Sequence, residues 1–272
     1  MRPASSALDR LSRFGRFLWS GWAGLAGLAL IAALWQAGHE AYGDFILSAP
    51  LDTLAAGWRL LHDGSAVELL ALTTRRALSG FALCAVIGTA AGVAAGYSPA
   101  TLRLSRPVLT VLMGVPPIAW IVLAMIWFGA SDRTVAMTIL VSTTPVVFIG
   151  AVEGVTTRDR GIEDMAHVFG AGPIRRFTHV AARQISTQLF PALILALGSS
   201  FKVAIMAELL ANAGGIGGAL ARARAMLDIA EAMAWVGLAV AALIVVEYVL
   251  IRPLRSELER WRDAAAPWGV KR

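Results

Sequence analysis

The sequence has little charge and few residues that could form a disulfide or a metal site. Only 15% of its 272 residues are charged and 57% are apolar, whereas a soluble domain of this length carries about a quarter charged residues. Its one cysteine, Cys84, excludes an internal disulfide framework and a cysteine-based metal site. The four histidines are scattered and lack the His-Glu-x-x-His spacing of a zinc site. These absences argue against a disulfide-stabilised secreted protein and against a zinc enzyme.

Nucleotide-binding motifs are also absent. No Gly-x-x-x-x-Gly-Lys-Ser/Thr sequence occurs, and neither lysine, Lys202 or Lys271, has that context. The glycines between 214 and 218 follow an apolar helix rather than a strand, so they predict a helix end and a tight turn instead of a dinucleotide site. We therefore expect no ATP and no other cofactor to bind this chain.

Long apolar runs predominate. Each is about 20 residues long, the length that a helix needs to cross the hydrocarbon core of a bilayer. No linker rich in proline, serine or glycine divides the chain, so the sequence predicts one all-α, polytopic membrane domain over 1–272. We predict six transmembrane helices, at roughly 17–37, 78–97, 107–128, 134–153, 190–211 and 232–252.

Basic residues predict the orientation. With the N-terminus in the cytoplasm, 17 of the 24 Lys and Arg residues fall on the cytoplasmic side, six fall outside, and Lys202 lies within a span. Positive charge accumulates on cytoplasmic loops. Both termini are therefore predicted to be cytoplasmic, which agrees with the even number of spans, since an even number places both ends on the same side.

The external segments have local features of their own. Residues 38–68 predict a short amphipathic helix around Leu51–Leu61. Arg75 and Arg76 stand at the entry to the second span, where long side chains can extend to the interface. The stretch 212–231 predicts a glycine turn followed by a helix.

Polar and helix-breaking residues inside the spans are candidates for a translocation pathway. Lys202 and Glu208 are charged and intramembrane, and a spacing of six places them on different faces of the helix. Lys202 could line a pathway, or it could extend its side chain to the membrane surface or pair with another helix for packing alone. Pro116, Pro117 and Trp120 predict a bent third span that lines a pathway or bends for packing alone.

The predicted cytoplasmic loop, 154–189, contains an amphipathic pattern. Apolar residues recur at steps of three and four from Ile162 to Phe169, and Gly172-Pro173 ends that helix and allows another to begin. Ile174, Phe177 and Ala181 form a second stripe. The loop is either a surface helix on the membrane or a docking site for a partner protein.

At this loop the chain resembles the permease subunits of type I ABC importers. Their signature reads Glu-Ala-Ala, three residues, Gly, nine residues, then Ile-x-Leu-Pro. With the glycine at Gly170, the first part falls on Asp164-Met165-Ala166 and the last on 180–183, where Val-Ala-Ala-Arg departs from the pattern. The stretches 46–50, 116–129 and 202–210 resemble the nitrate, sulfonate and taurine branch of these permeases.

The resemblance implies a multi-pass protein of the bacterial inner membrane. Two permeases, expected to be identical, would form the pathway, and two cytoplasmic ATPase subunits would hold ATP and Mg²⁺. A periplasmic or lipid-anchored binding protein would deliver a small, anionic solute, and nucleic acid is not an expected partner. The loop would be a coupling helix that contacts the ATPase through Asp164, Met165, Ala166, Phe169, Gly170, Ala171 and Gly172.

Two other classes of function provide the competing hypotheses. A secondary transporter or channel would work without an ATPase and would pair its intramembrane charges between internal repeats; the sequence shows no such repeat. An integral membrane enzyme would cluster His, Asp or Glu at one membrane face, and the sequence shows no such cluster. The importer permease is therefore the favoured hypothesis.

Overall fold

The computed structural model describes residues 26–251 and residue 253, and all regular structure in these residues is helical. The first helix, α1, is described over 26–42. The helices that follow are α2 (Pro50–His62), α3 (Ser65–Tyr97), α4 (Pro99–Gly114), α5 (Pro117–Phe128), α6 (Asp132–Thr156), α7 (Arg160–Val168), α8 (Pro173–Arg176), α9 (Ala182–Ala211), α10 (Gly215–Ala225) and α11 (Ile229–Val246). A π-helical turn, Phe177–Ala181, joins α8 to α9, and another, Glu247–Ile251, follows α11.

Four helical segments within the described residues are long and apolar enough to cross a membrane: Ser65–Tyr97, Asp132–Thr156, Pro173–Ala211 and Ile229–Val249. They contain the predicted spans 78–97, 134–153 and 190–211 and most of 232–252. Two of them extend well beyond the predicted limits on their N-terminal sides, because their ends are helical yet more polar. The predicted span 17–37 begins outside the described residues, which include its second half as part of α1.

The predicted span 107–128 is two helices rather than one. The axes of α4 and α5 are bent by 93° at the break, so the pair forms either a broken span or a re-entrant loop. The two prolines explain the break. Val115 precedes a proline and adopts an extended conformation, with φ −87° and ψ 123°. Pro116 is extended too, and Pro117 opens α5 at a position where its missing N–H costs nothing.

Small residues let the central helices approach closely. Glycines on α3 face α6, and a Cβ at Gly92 would lie 2.5 Å from the carbonyl oxygen of Phe148. On α6, Gly150 and Gly154 face α9 in the same way: a Cβ at Gly154 would lie 2.6 Å from the carbonyl oxygen of Ile185. Membrane helices often associate through such small residues four positions apart. The helices α3, α6 and α9 therefore form the packed centre of the fold.

Shorter helices lie at one end of this centre. The predicted amphipathic helix around Leu51–Leu61 is confirmed as α2, Pro50–His62. The predicted helix after the glycine turn is confirmed as α10, Gly215–Ala225. Ile216 and Trp235 are almost completely buried where α10 and α11 pack with the start of α3. This second apolar cluster fixes the position of the glycine turn against the long helices.

Candidate functional site

A buried ionic cluster connects the ends of α3, α6 and α9. The carboxylate of Glu208 is fully buried and accepts a hydrogen bond from Arg76 Nη1 at 2.8 Å. Its second oxygen accepts one from the Thr73 hydroxyl, also at 2.8 Å. A buried carboxylate is tolerated only when it is paired and hydrogen-bonded. Thr73 and Arg76, both on α3, meet that requirement because each donates to one oxygen of Glu208.

Arg76 connects further elements to this cluster. Its Nη2 donates to the carbonyl oxygen of Ala213 at 2.9 Å and forms an ion pair with Asp132, the first residue of α6. The side chain of Asp132 is 63% exposed, so the cluster reaches the surface of the protein at the start of α6. One guanidinium thus holds α3, α6 and the chain that follows α9. The extension of Arg76 to the interface was a wrong prediction, because its side chain points into the protein.

The glycine turn after α9 closes over the carboxylate. The N–H of Gly217 donates to Glu208 Oε2 at 3.2 Å, and the N–H of Ile216 donates to the Thr73 hydroxyl at 3.0 Å. A Cβ at Gly215 would lie 2.3 Å from Glu208 Oε1, and a Cβ at Gly217 only 2.2 Å from the carbonyl oxygen of Ile205. The turn was predicted over 212–218 but is confirmed only over 212–214, because α10 already begins at Gly215. Gly215 and Gly217 lie in the first turn of α10, where the backbone comes too close to Glu208 and to the end of α9 for a side chain.

Lys202 lies apart from this cluster, although it is only six residues from Glu208. Its neighbours Phe201, Val203 and Ala204 are buried in the packed centre, whereas Lys202 is exposed on the other side of α9. No hydrogen bond or ion pair joins it to another residue in the part of the chain that the structure describes. The expectation that the two charges occupy different faces of the helix is confirmed.

The proline break places its residues beside α9. Pro116 and Pro117 are exposed, while Ile121 of α5 packs in the same apolar cluster as Phe201 of α9. The indole Nε1 of Trp120 is buried and has no hydrogen-bond partner among the described residues. The pathway residues predicted from the sequence therefore lie on α5 and α9, which pack together, but the structure does not gather them into one pocket.

The loop between α6 and α9 contains the predicted short helix, α7. The side chain of Asp159 caps it by accepting a hydrogen bond from the N–H of Gly161 at 2.8 Å. Its apolar residues are not covered: Met165 is 55% exposed and Phe169, just past the helix end, is 82% exposed. Ile162 and Val168 are exposed as well. Asp164 is also exposed, and Ala166 is half-buried.

A compact turn separates α7 from α8. The N–H of Ala171 donates to the carbonyl of Ala166, and the N–H of Gly170 donates to the carbonyl of His167, both at 2.9 Å. This is the Schellman pattern, which requires a left-handed residue at the position of Gly170. Gly170 has φ +78°. Gly172 then precedes Pro173, which opens α8 as predicted.

Two polar side chains, Arg158 and Gln184, attach α7 to the long helices. Arg158 donates to Glu163 of α7 at 2.5 Å and to the Tyr97 hydroxyl at 2.7 Å, and its guanidinium lies 4.3 Å from the centroid of the Tyr97 ring. The Gln184 side chain of α9 accepts a hydrogen bond from the N–H of Asp159 at 2.6 Å. The helix is thereby attached to α3, α6 and α9 while its apolar residues stay uncovered.

Several of these residues escaped prediction from the sequence. Thr73, Asp132 and Tyr97 carry no motif. Arg158 contributed only to the charge distribution that predicts orientation, and Arg76 was expected at the membrane interface. Each acquires its role through a partner more than 50 residues away. The one available signal was Glu208 itself, since an intramembrane carboxylate calls for a cationic partner on another helix.

The sequence of the chain is similar to those of several known proteins. The family described as "Binding-protein-dependent transport system inner membrane component" matches residues 86–256. The chain is 29% identical over 200 residues to the "Putative aliphatic sulfonates transport permease protein SsuC" of Escherichia coli strain K12, covering 73% of this chain and 76% of that protein. It is 27% identical to the "Riboflavin transport system permease protein RibX" of Chloroflexus aurantiacus, over 85% and 87% of the two chains. It is 24% identical to the "Nitrate import permease protein NrtB" of Leptolyngbya laminosa, over 69% and 70%.

Proposed function

Because the chain belongs to the family of binding-protein-dependent transport system inner membrane components, we propose that it is the permease subunit of an ATP-driven ABC importer. Members of this family are transport permeases rather than enzymes. In our proposal two copies of the chain form the translocation pathway. Two separate ATPase subunits bind ATP and Mg²⁺ and hydrolyse the nucleotide, and a binding protein delivers the solute on the opposite side of the membrane.

The anchored helix α7 is the observation that carries this proposal. A short helix with uncovered apolar side chains suits a groove on a partner protein, which recognises anchors three and four residues apart. Ile162, Met165 and Phe169 have that spacing and are all exposed. We assign the ATPase contact to α7 and the turn after it. Both chain termini and α7 then lie in the cytoplasm, as the distribution of basic residues favours.

The anchors of α7 give a route for mechanical coupling. A movement of the ATPase subunits would displace α7, and Arg158 and Gln184 would transmit the displacement to α3 and α9. A loosely tethered segment would absorb the same movement without shifting the spans. At the other end of these helices, the Arg76–Glu208 cluster would keep them moving as a unit.

The proposed solute is small and anionic. Relatives named for aliphatic sulfonates and for nitrate support an anion, whereas the relative named for riboflavin shows that the solute varies among similar permeases. In this proposal the binding protein supplies much of the discrimination among solutes.

The proposal is tested by co-purification of the tagged permease with a cognate ATPase and by solute uptake into proteoliposomes that contain both. We expect Met165→Glu to abolish co-purification, because it places a carboxylate on the apolar stripe of α7. The matched control is His167→Glu, which introduces the same side chain on the opposite face of this exposed helix. Loss of the ATPase with both variants, or with neither, contradicts the assignment of α7. Uptake by the permease alone, without ATPase or ATP, would favour a secondary transporter or channel instead.

A further inference from the structure

The position of Lys202 on α9 is unusual for a charged residue in a membrane protein. Lys202 lies nine residues before Ala211, the last residue of α9, which corresponds to about 13 Å along the helix axis. The hydrocarbon core of a bilayer is roughly 30 Å thick. With Ala211 at the edge of this core, where the predicted span 190–211 ends, Lys202 lies near the middle of the membrane, beyond the reach of a lysine side chain that extends to the surface.

Its surroundings within the protein do not neutralise this charge. The nearest acid along the helix, Glu208, has both oxygens occupied by Arg76, Thr73 and Gly217. A spacing of six residues also directs the two side chains to different faces of α9. A cation at this depth is costly when it contacts lipid. The Lys202 ammonium therefore requires water or an anion on the open side of α9.

The open side of α9 forms a continuous stripe. Its exposed residues recur at helical intervals along the membrane segment: Pro191, Leu195, Lys202, Met206 and Leu210. The opposite side of the same helix packs against α3 and α6. The half-buried residues Gly198 and Ser199 are small and lie next to Lys202 on the stripe, so they leave space around its side chain.

We propose that this stripe lines the solute pathway and that Lys202 is the residue that attracts anionic solutes into it. The inference rests on the proposed function and specifies its solute class. In a pathway between two copies of the chain, both Lys202 side chains would face the same aqueous space. Their mutual repulsion would be relieved by an anion between them, and a neutral or cationic solute would gain no such stabilisation.

Accessibility to water is tested first, with cysteines placed in a Cys84→Ala background that removes the one native thiol. We expect Lys202→Cys to react with water-soluble methanethiosulfonate reagents in membrane vesicles. The control is Val240→Cys in α11, which is 52% exposed in the same structure but is expected to face lipid. Equal, slow labelling of both cysteines would overturn the pathway assignment.

Anion attraction is tested with a reporter on the same stripe. Met206→Cys, one turn from Lys202, is labelled by the anionic ethylsulfonate reagent and by the cationic trimethylammonium reagent. We expect the rate with the anionic reagent, divided by the rate with the cationic reagent, to fall about tenfold in Lys202→Gln. We expect this ratio to be retained in Lys202→Arg. An unchanged ratio in Lys202→Gln overturns the anion-attracting role.

These labelling measurements separate the inference from the proposed function. Neither depends on the ATPase or on the identity of the natural solute. If the permease fails to co-purify with an ATPase while both labelling results are as expected, the importer proposal falls and the anion pathway stands. If co-purification and uptake succeed but Lys202→Cys is unreactive, the importer stands and Lys202 does not line its pathway.

Discussion

Arg76 of α3 and Glu208 of α9 form a buried ion pair with 2.8 Å between Nη1 and Oε1. The two residues are 132 positions apart in the sequence, and no other cation among the described residues contacts this carboxylate. Around the pair, the first residue of α6 and the glycine turn after α9 complete the hydrogen bonding. The cluster thus joins the three central helices through residues that are far apart in the sequence but close in space.

Replacement of Glu208 by Gln is expected to destabilise the protein by about 3 kcal/mol, because it leaves the buried guanidinium of Arg76 without its main counter-charge. Thermal unfolding of the purified permease in detergent measures the change. The matched control is Glu247→Gln, since Glu247 is exposed after α11. A similar melting temperature for the two variants would mean that Asp132 alone compensates Arg76.

The glycines at the start of α10 should differ in their tolerance of a methyl group. At Gly217 a Cβ would lie 2.2 Å from the carbonyl oxygen of Ile205, whereas at Gly218 the nearest atom is 3.8 Å away. We expect Gly217→Ala to lower the free energy of unfolding by about 1–3 kcal/mol through overpacking. Gly218→Ala should be neutral or slightly stabilising, because alanine favours a helix. Equal melting temperatures for the two variants would show that the turn relaxes away from α9.

Arg158 is expected to hold α7 in place. Replacement by Ala removes its contacts with Tyr97 and Glu163, so amide hydrogen exchange in α7 should become at least several-fold faster. Arg160→Ala is the control, because Arg160 is exposed at the start of the same helix. Unchanged amide hydrogen exchange of α7 in Arg158→Ala would show that the contact of Gln184 is enough to hold the helix in place. In a reconstituted transporter, we expect Arg158→Ala to hydrolyse more ATP per solute transported than the control does.

Gly170 should be sensitive to substitution for a conformational rather than a steric reason. A Cβ at Gly170 or at Gly172 would meet no atom within 4 Å, but only Gly170 has a left-handed backbone, with φ +78°. That conformation costs a residue with a side chain roughly 1–2 kcal/mol. We expect Gly170→Val to reduce co-purification of the ATPase by distorting the turn after α7, while Gly172→Val retains it. Equal co-purification would show that the turn is not part of the contact.

Local sequence patterns predicted much of the helical organisation. Four of the six predicted apolar runs coincide with long helices in the described residues, and the amphipathic pattern around Leu51–Leu61 located α2. A break at Gly172-Pro173 was predicted, because glycine and proline restrict the backbone wherever they occur. Pro173 does open α8, but α7 already ends at Val168 and the left-handed residue of the turn is Gly170. Two prolines also predicted a bend between α4 and α5, although they did not predict an angle of 93°. That angle depends on what each helix packs against.

The sequence by itself determined that this is a helical membrane protein of the importer permease family, with a polar loop and a carboxylate inside one apolar run. Hydrophobicity, turn chemistry and family motifs are properties of neighbouring residues, so they can be found without a structure. Only the tertiary structure decided that Arg76 neutralises Glu208, that Arg158 anchors α7 on Tyr97, and that Lys202 faces away from the packed centre. Those relationships depend on which helix faces come together, and no spacing along the chain specifies them.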